Sequence, residues 1–146
     1  MIIRIMTVND HKRLIPFWKE HYFYSSMDEL PSFTLFLDKN PDLSFVVEDS
    51  GEIIGTVLGS FDGRRGYIQK LVVHKEKRRQ GIGQKLLETV IQKLISMGIA
   101  YIPIASEPEN IAFYEKMNFK RASSIAMNFS TTNTAWMDYK QKSKIS

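Results

Sequence analysis

The stretch KRRQGIGQKLL, residues 77–87, sets Lys77, Arg78, Arg79, Gly81 and Gly83 directly before a run with helical spacing. The first N–H groups of a helix have no intrahelical partner and sit at the positive end of its dipole, so this entrance suits an anion. Gly81 and Gly83 let the main chain approach phosphate oxygens closely, while Arg78 and Arg79 add charge. A diphosphate is the ligand this chemistry suggests. The spacing is not the G-x-x-x-x-G-K-[ST] of a P-loop, and Leu86 stands where the third glycine of G-x-G-x-x-G would be.

Other chemistries are restricted by composition. The 146 residues contain no cysteine, which rules out disulfides, thiolate zinc sites and a cysteine nucleophile. His11 and His21 lie in one polar helical segment and His74 stands alone, so all three read as surface histidines and no metal site is expected. The net charge of +4 favours an anionic ligand without implying a nucleic acid. No segment is apolar enough to span a membrane, and charge interrupts the N-terminus before a signal-peptide core forms, so a cytoplasmic protein without a membrane partner is expected.

The elements that must hold the entrance follow from periodicity. MIIRIMTV reads as a strand, and Asn9 or Asp10 can cap a helix over HKRLIPFWKEHYFY that Pro16 divides. PSFTLFLDKNP forms a second helix with Pro31 in its first turn. LSFVVED and EIIGTVLGSF, joined by SGE, make a hairpin, and DGRRG turns the chain into the strand YIQKLVVH. Leu86, Leu87, Val90, Ile91, Leu94 and Ile95 then recur at helical spacing, with Gly98 as the stop. IAYIPIA is a strand in which Pro103 cannot donate to a ladder, PENIAFYEKMNF a short helix, and SIAMNFS and TAWMDYKQ closing strands. One domain over residues 1–146 is expected, of mixed α/β class with a largely antiparallel sheet, and 139–146 as a flexible tail.

LVVHKEKRRQGIG resembles motif A of the GNAT acyltransferase superfamily, [QR]-x-x-G-x-[GA], with Arg78, Gly81 and Gly83 at the defining positions. IAFYEKMNF is similar to the family's second signature, and together the likeness covers roughly residues 45–120. The resemblance implies a GNAT-like fold of about seven strands and four helices, splayed between the fourth and fifth strands. It also implies an N-acetyltransferase that uses acetyl-CoA as co-substrate and transfers the acetyl group directly to an acceptor amine. By position, main-chain groups of Leu71, Val72 and Val73 would pair with the pantetheine arm. Arg78, Arg79, Gln80, Gly81, Ile82, Gly83 and Gln84 would hold the pyrophosphate. Pro103 would lie where the strands part.

On the same resemblance, Tyr114 is the residue that protonates the departing thiolate, and a main-chain N–H on the LVV strand polarises the acetyl carbonyl. No base is assigned: the fourth strand offers Gln69, which takes no proton. Glu107 stands where relatives often have a pantetheine-binding asparagine; it could accept an amide N–H, draw a proton through water, or simply cap the helix. Asn110 could fill the asparagine's role instead. Glu20, Tyr22, Tyr24, Asp28 and Glu29 either bind a cationic amine or form a solvated loop. Met27, Met127, Met137 and Trp136 read as packing residues. A non-catalytic acyl-CoA-binding module of the same fold is the alternative. No specific nucleic acid is expected as a partner, and a homodimer is one open assembly state.

Overall fold

The computed structural model describes residues 1–131. Its centre is a sheet of order β1-β2-β3-β4, built from β1 (Ile2–Ile5), β2 (Phe45–Asp49), β3 (Glu52–Phe61) and β4 (Gly66–Val73). Every neighbouring pair is antiparallel. Ser50 and Gly51, with φ of 53° and 81°, make the tight reversal between β2 and β3. Asp62 closes the next turn by accepting the Arg64 and Arg65 N–H groups at 2.8 and 2.7 Å.

Alternation along the strands sends side chains to two cores. On one face Val46, Ile53, Leu58 and Val72 pack against Leu14, Phe17 and Trp18 of α1 (His11–Glu20) and Phe33 of α2 (Leu30–Lys39). On the other, Phe45, Val47, Val57, Ile68, Leu71 and Val73 meet Leu86, Leu87, Val90 and Leu94 of α3 (Ile82–Ser96) and Tyr114 of α4 (Ile111–Lys116). Gly59 permits the closest approach: a Cβ there would stand 2.4 Å from the Leu43 carbonyl oxygen and 2.6 Å from Val90 Cγ2.

Several expectations change in the folded chain. Pro16 does not divide α1, which runs continuously through it, because a buried apolar face outweighs one missing hydrogen bond. Asp10 is the N-cap of α1 but makes no side-chain cap bond there; its carboxylate accepts the Thr7 N–H at 2.8 Å and pairs with Arg4 at 2.7 Å and Arg13 at 3.1 Å. IAYIPIA does not join the ladder, being tied to β4 by Gly66 N–H donating to the Tyr101 carbonyl at 3.1 Å. Pro103, lacking an N–H, sits in the unpaired stretch.

SIAMNFS also forms no strand, and Ile125, Met127 and Phe129 are exposed, so Met127 is no packing residue. TAWMDYKQ, Trp136, Met137 and the tail 139–146 lie outside the described residues. Four strands and four α-helices are therefore present among the described residues.

Candidate functional site

The glycine entrance begins where β4 ends. Arg79 and Gly81 both take left-handed backbone, with φ of 64° and 78°, and Gly81 is the N-cap of α3. A Cβ at Gly81 would meet nothing within 4 Å, so glycine is needed there for its backbone conformation and not for space. The ladder of α3 opens with the Lys85 N–H donating to the Gly81 carbonyl at 3.0 Å, so the amides of Ile82, Gly83 and Gln84 precede the first intrahelical bond. Arg79 and Gln80 are exposed beside them, while Ile82 and Gly83 are buried. Gln84 spends its side-chain amide on Glu88 at 2.9 Å.

Arg78 turns inward. Its Nε donates to the Val73 carbonyl at 3.3 Å, Nη2 is buried without a partner among the described residues, and burial lowers its pKa from the ordinary arginine value. It fastens the entrance to the end of β4 instead of standing among the exposed amides.

Sequence reading placed His21 on the surface; it is fully buried. Its Nε2 accepts the Lys75 N–H at 3.1 Å, which requires the proton on Nδ1, and Nδ1 donates to the Phe17 carbonyl at 2.8 Å. The end of α1 is thereby tethered to the turn that opens the glycine loop. Glu20, His21 and His74 bring potential ligand atoms within 4.8 Å of one another. These donors are already engaged: both His21 nitrogens as above, Glu20 with Lys75 at 3.2 Å, and His74 Nδ1 with the Glu76 N–H at 3.1 Å. His11 is likewise committed, its Nε2 lying 2.8 Å from the Asp28 carbonyl oxygen.

Between β4 and residues 103–107 lies a cavity of about 890 Å³, reached by Gln69, Lys70 and Leu71 from one side and Pro103, Ile104, Glu107, Asn110 and Tyr114 from the other. Tyr114 is 8% exposed, and among the described residues nothing accepts its hydroxyl. Burial pushes its phenol well above the ordinary tyrosine value, so it remains protonated. Asn110, 2% exposed, stands at the N-cap position of α4 on the same wall, without a side-chain cap bond. The structure thus gathers Leu71, Asn110 and Tyr114 at one cavity, with the glycine loop continuing from the far end of the same strand.

The family model described as "Acetyltransferase (GNAT) family" matches residues 10–119. The chain belongs to the GNAT acetyltransferase family. A protein named an acetyltransferase in Pectobacterium atrosepticum is 32% identical over 132 residues, covering 87% of this chain and 93% of that one. Another from Sodalis glossinidius is 30% identical over 132 residues, with 87% and 92% covered. Among solved structures, glucosamine-6-phosphate N-acetyltransferase from Arabidopsis thaliana superposes with a TM-score of 0.70 at 22% identity, covering 90% of this chain and 98% of its own. The PaiA N-acetyltransferase of Thermoplasma acidophilum, in complex with coenzyme A, gives 0.72 at 18% identity, with 85% and 92% covered. At such identities these likenesses establish the fold.

Acids expected near an acceptor prove to be committed within this GNAT chain. Asp28 pairs with Lys70 at 2.7 Å, Glu20 with Lys75, and Glu29 accepts the Tyr24 hydroxyl. Tyr24, Met27 and Asp28 line the cavity, with Met27 more than half exposed, whereas Tyr22 points to solvent. No described helix is long and apolar enough to cross a membrane.

Sequence reading missed the contacts made by Trp18, Thr56 and Lys70. Trp18 Nε1 donates to Thr56 Oγ1 at 3.0 Å, and Thr56 Oγ1 donates to the Lys70 carbonyl at 2.9 Å. The signal was faint: one threonine within the apolar run of β3, and a lysine beside Gln69 in β4.

Proposed function

We propose that the chain transfers an acetyl group from acetyl-CoA to a primary amine by direct attack within a ternary complex. Support comes chiefly from one observation: Tyr114, buried and with its hydroxyl unaccepted by any described residue, lines the same cavity as Leu71 of β4. The acceptor is a small molecule, a peptide or a protein.

In this reading the amides of residues 79–84 receive the pyrophosphate, and the free edge of Leu71–Val73 receives the pantetheine arm as an added strand would be received. Holding amine and thioester together converts a bimolecular encounter into a unimolecular one. A main-chain N–H on β4 polarises the carbonyl as the nitrogen attacks, and negative charge grows on oxygen. As the tetrahedral species collapses, the carbon–sulfur bond breaks, Tyr114 donates its proton to the thiolate, and the proton shed by the new amide nitrogen restores the phenol. Asn110 orients the pantetheine from α4. Glu107, at the cavity wall, accepts the proton lost by the ammonium through water.

A non-catalytic acyl-CoA-binding module is the second reading, favoured by the commitment of Asp28 to Lys70. Free CoA formation over a panel of primary amines separates the two: amine-dependent release supports transfer, and saturable binding without release supports the module.

A further inference from the structure

β3 and β4 are not in simple register. Thr56 faces Val72 and Leu58 faces Gln69, so the single residue Val57 stands opposite both Lys70 and Leu71. Lys70 is the bulged residue, with φ of 53°, a left-handed conformation costly for a side chain of its size. In an ordinary antiparallel ladder its carbonyl would be taken by a main-chain N–H. Here the Thr56 hydroxyl takes it, at 2.9 Å.

That hydroxyl is itself oriented. Trp18 Nε1 can only donate, so its 3.0 Å bond occupies an acceptor site on Thr56 Oγ1 and leaves the hydroxyl proton for Lys70. Trp18 and Thr56 are both 0% exposed, so no water competes for these groups. The Lys70 side chain is anchored as well, with Nζ 2.7 Å from Asp28 Oδ2 and 5.1 Å from the Trp18 ring centroid.

We infer that Trp18 and Thr56 are positioning residues that aim the Leu71 N–H into the cavity as the donor to the acetyl carbonyl. In a trans peptide the C=O and the following N–H point in opposite directions. The Lys70–Leu71 bond is trans, so a Lys70 carbonyl held toward Thr56 on β3 sends the Leu71 N–H away from β3. The other edge of β4 faces the cavity that Leu71 shares with Pro103, Ile104 and Tyr114. The bulge inverts one peptide relative to a regular strand, and the buried hydroxyl holds the inversion before any ligand arrives. This rests on the acetyl-transfer reading for its consequence, though not for its geometry.

The test compares Thr56→Val, which keeps the shape and loses both bonds, with Thr56→Ser, which keeps the hydroxyl. Turnover with a reactive primary amine is measured beside the calorimetric Kd for acetyl-CoA. Thr56→Val is expected to lower kcat by about tenfold or more with the acetyl-CoA Kd changed by less than about threefold, and Thr56→Ser to restore most of the loss. Equal losses in both variants, or a loss of affinity that matches the loss of kcat, overturns the inference. If the unaltered protein shows no turnover at all, it is the transfer reading that fails, and the Leu71 amide resonance decides the clamp. Its shift should differ between acetyl-CoA and CoA in the unaltered protein and Thr56→Ser, and lose that difference in Thr56→Val. The same difference in all three overturns the clamp.

Discussion

At the residue scale, the proposed function gives Tyr114 and Gly81 separable duties. On the proposed mechanism, replacing Tyr114 by phenylalanine would remove the proton donor and little volume, so turnover should fall on the order of a hundredfold while calorimetry finds acetyl-CoA affinity almost unchanged. Gly81→Ala forces a Cβ into left-handed backbone, with no clash to blame, since nothing lies within 4 Å. That conformation costs about 1–2 kcal/mol, so acetyl-CoA binding should weaken by roughly tenfold as the loop relaxes. His21 makes a pH prediction. Burial holds its imidazole below the ordinary 6.5, aided by His74 and Arg78 and opposed by the Phe17 carbonyl and Glu20. The unfolded chain therefore takes up the proton first: this contribution to stability is complete above 6.5 and is lost as pH falls toward the folded value. Denaturant midpoints between about pH 8 and pH 5 should fall more steeply for the natural protein than for His21→Leu. Parallel curves would remove His21 from that dependence. None of this was legible from the spacing of His11 and His21, because His21 meets the Lys75 N–H 54 residues away in sequence and the His74 ring.

At the element scale, local pattern did most of the work where burial is one-sided or complete. The run EIIGTVLGSF coincides with β3 end to end, and Gly98, with φ of 86°, stops α3 as its position after Met97 suggested. Reading failed where a strand-like sequence has no partner: 99–105 and 124–130 carry the right residue types, yet ladder pairing needs a neighbour that local sequence does not reveal. The bulge at Lys70 was equally hidden, since Gln69-Lys70-Leu71 contains no glycine to advertise a positive φ. Packing of α3 on the sheet gives a stability prediction. Gly59→Ala would drive a methyl into the Leu43 carbonyl and Val90, and overpacking of this kind costs about 1–3 kcal/mol, readable as a lower denaturation midpoint. An unchanged midpoint would mean that the Leu43 segment yields freely.

At the scale of the whole molecule, α1 and α2 cover one face of the sheet and α3 and α4 the other, so that one strand, β4, carries both the cavity wall and the lead into the glycine loop. The family was legible from Arg78, Gly81, Gly83 and Tyr114 in sequence, and the family match over residues 10–119 bears it out. The acceptor was not legible, because the acids that looked available are committed to Lys70, Lys75 and Tyr24 once the chain folds. The most direct measurement follows free CoA released from acetyl-CoA by the purified protein, with and without each member of a primary-amine panel. Acetyl transfer predicts release that depends on the amine, saturates with it and yields an equal amount of acetylated product. Tight acetyl-CoA binding with no amine-dependent release across a broad panel would contradict it.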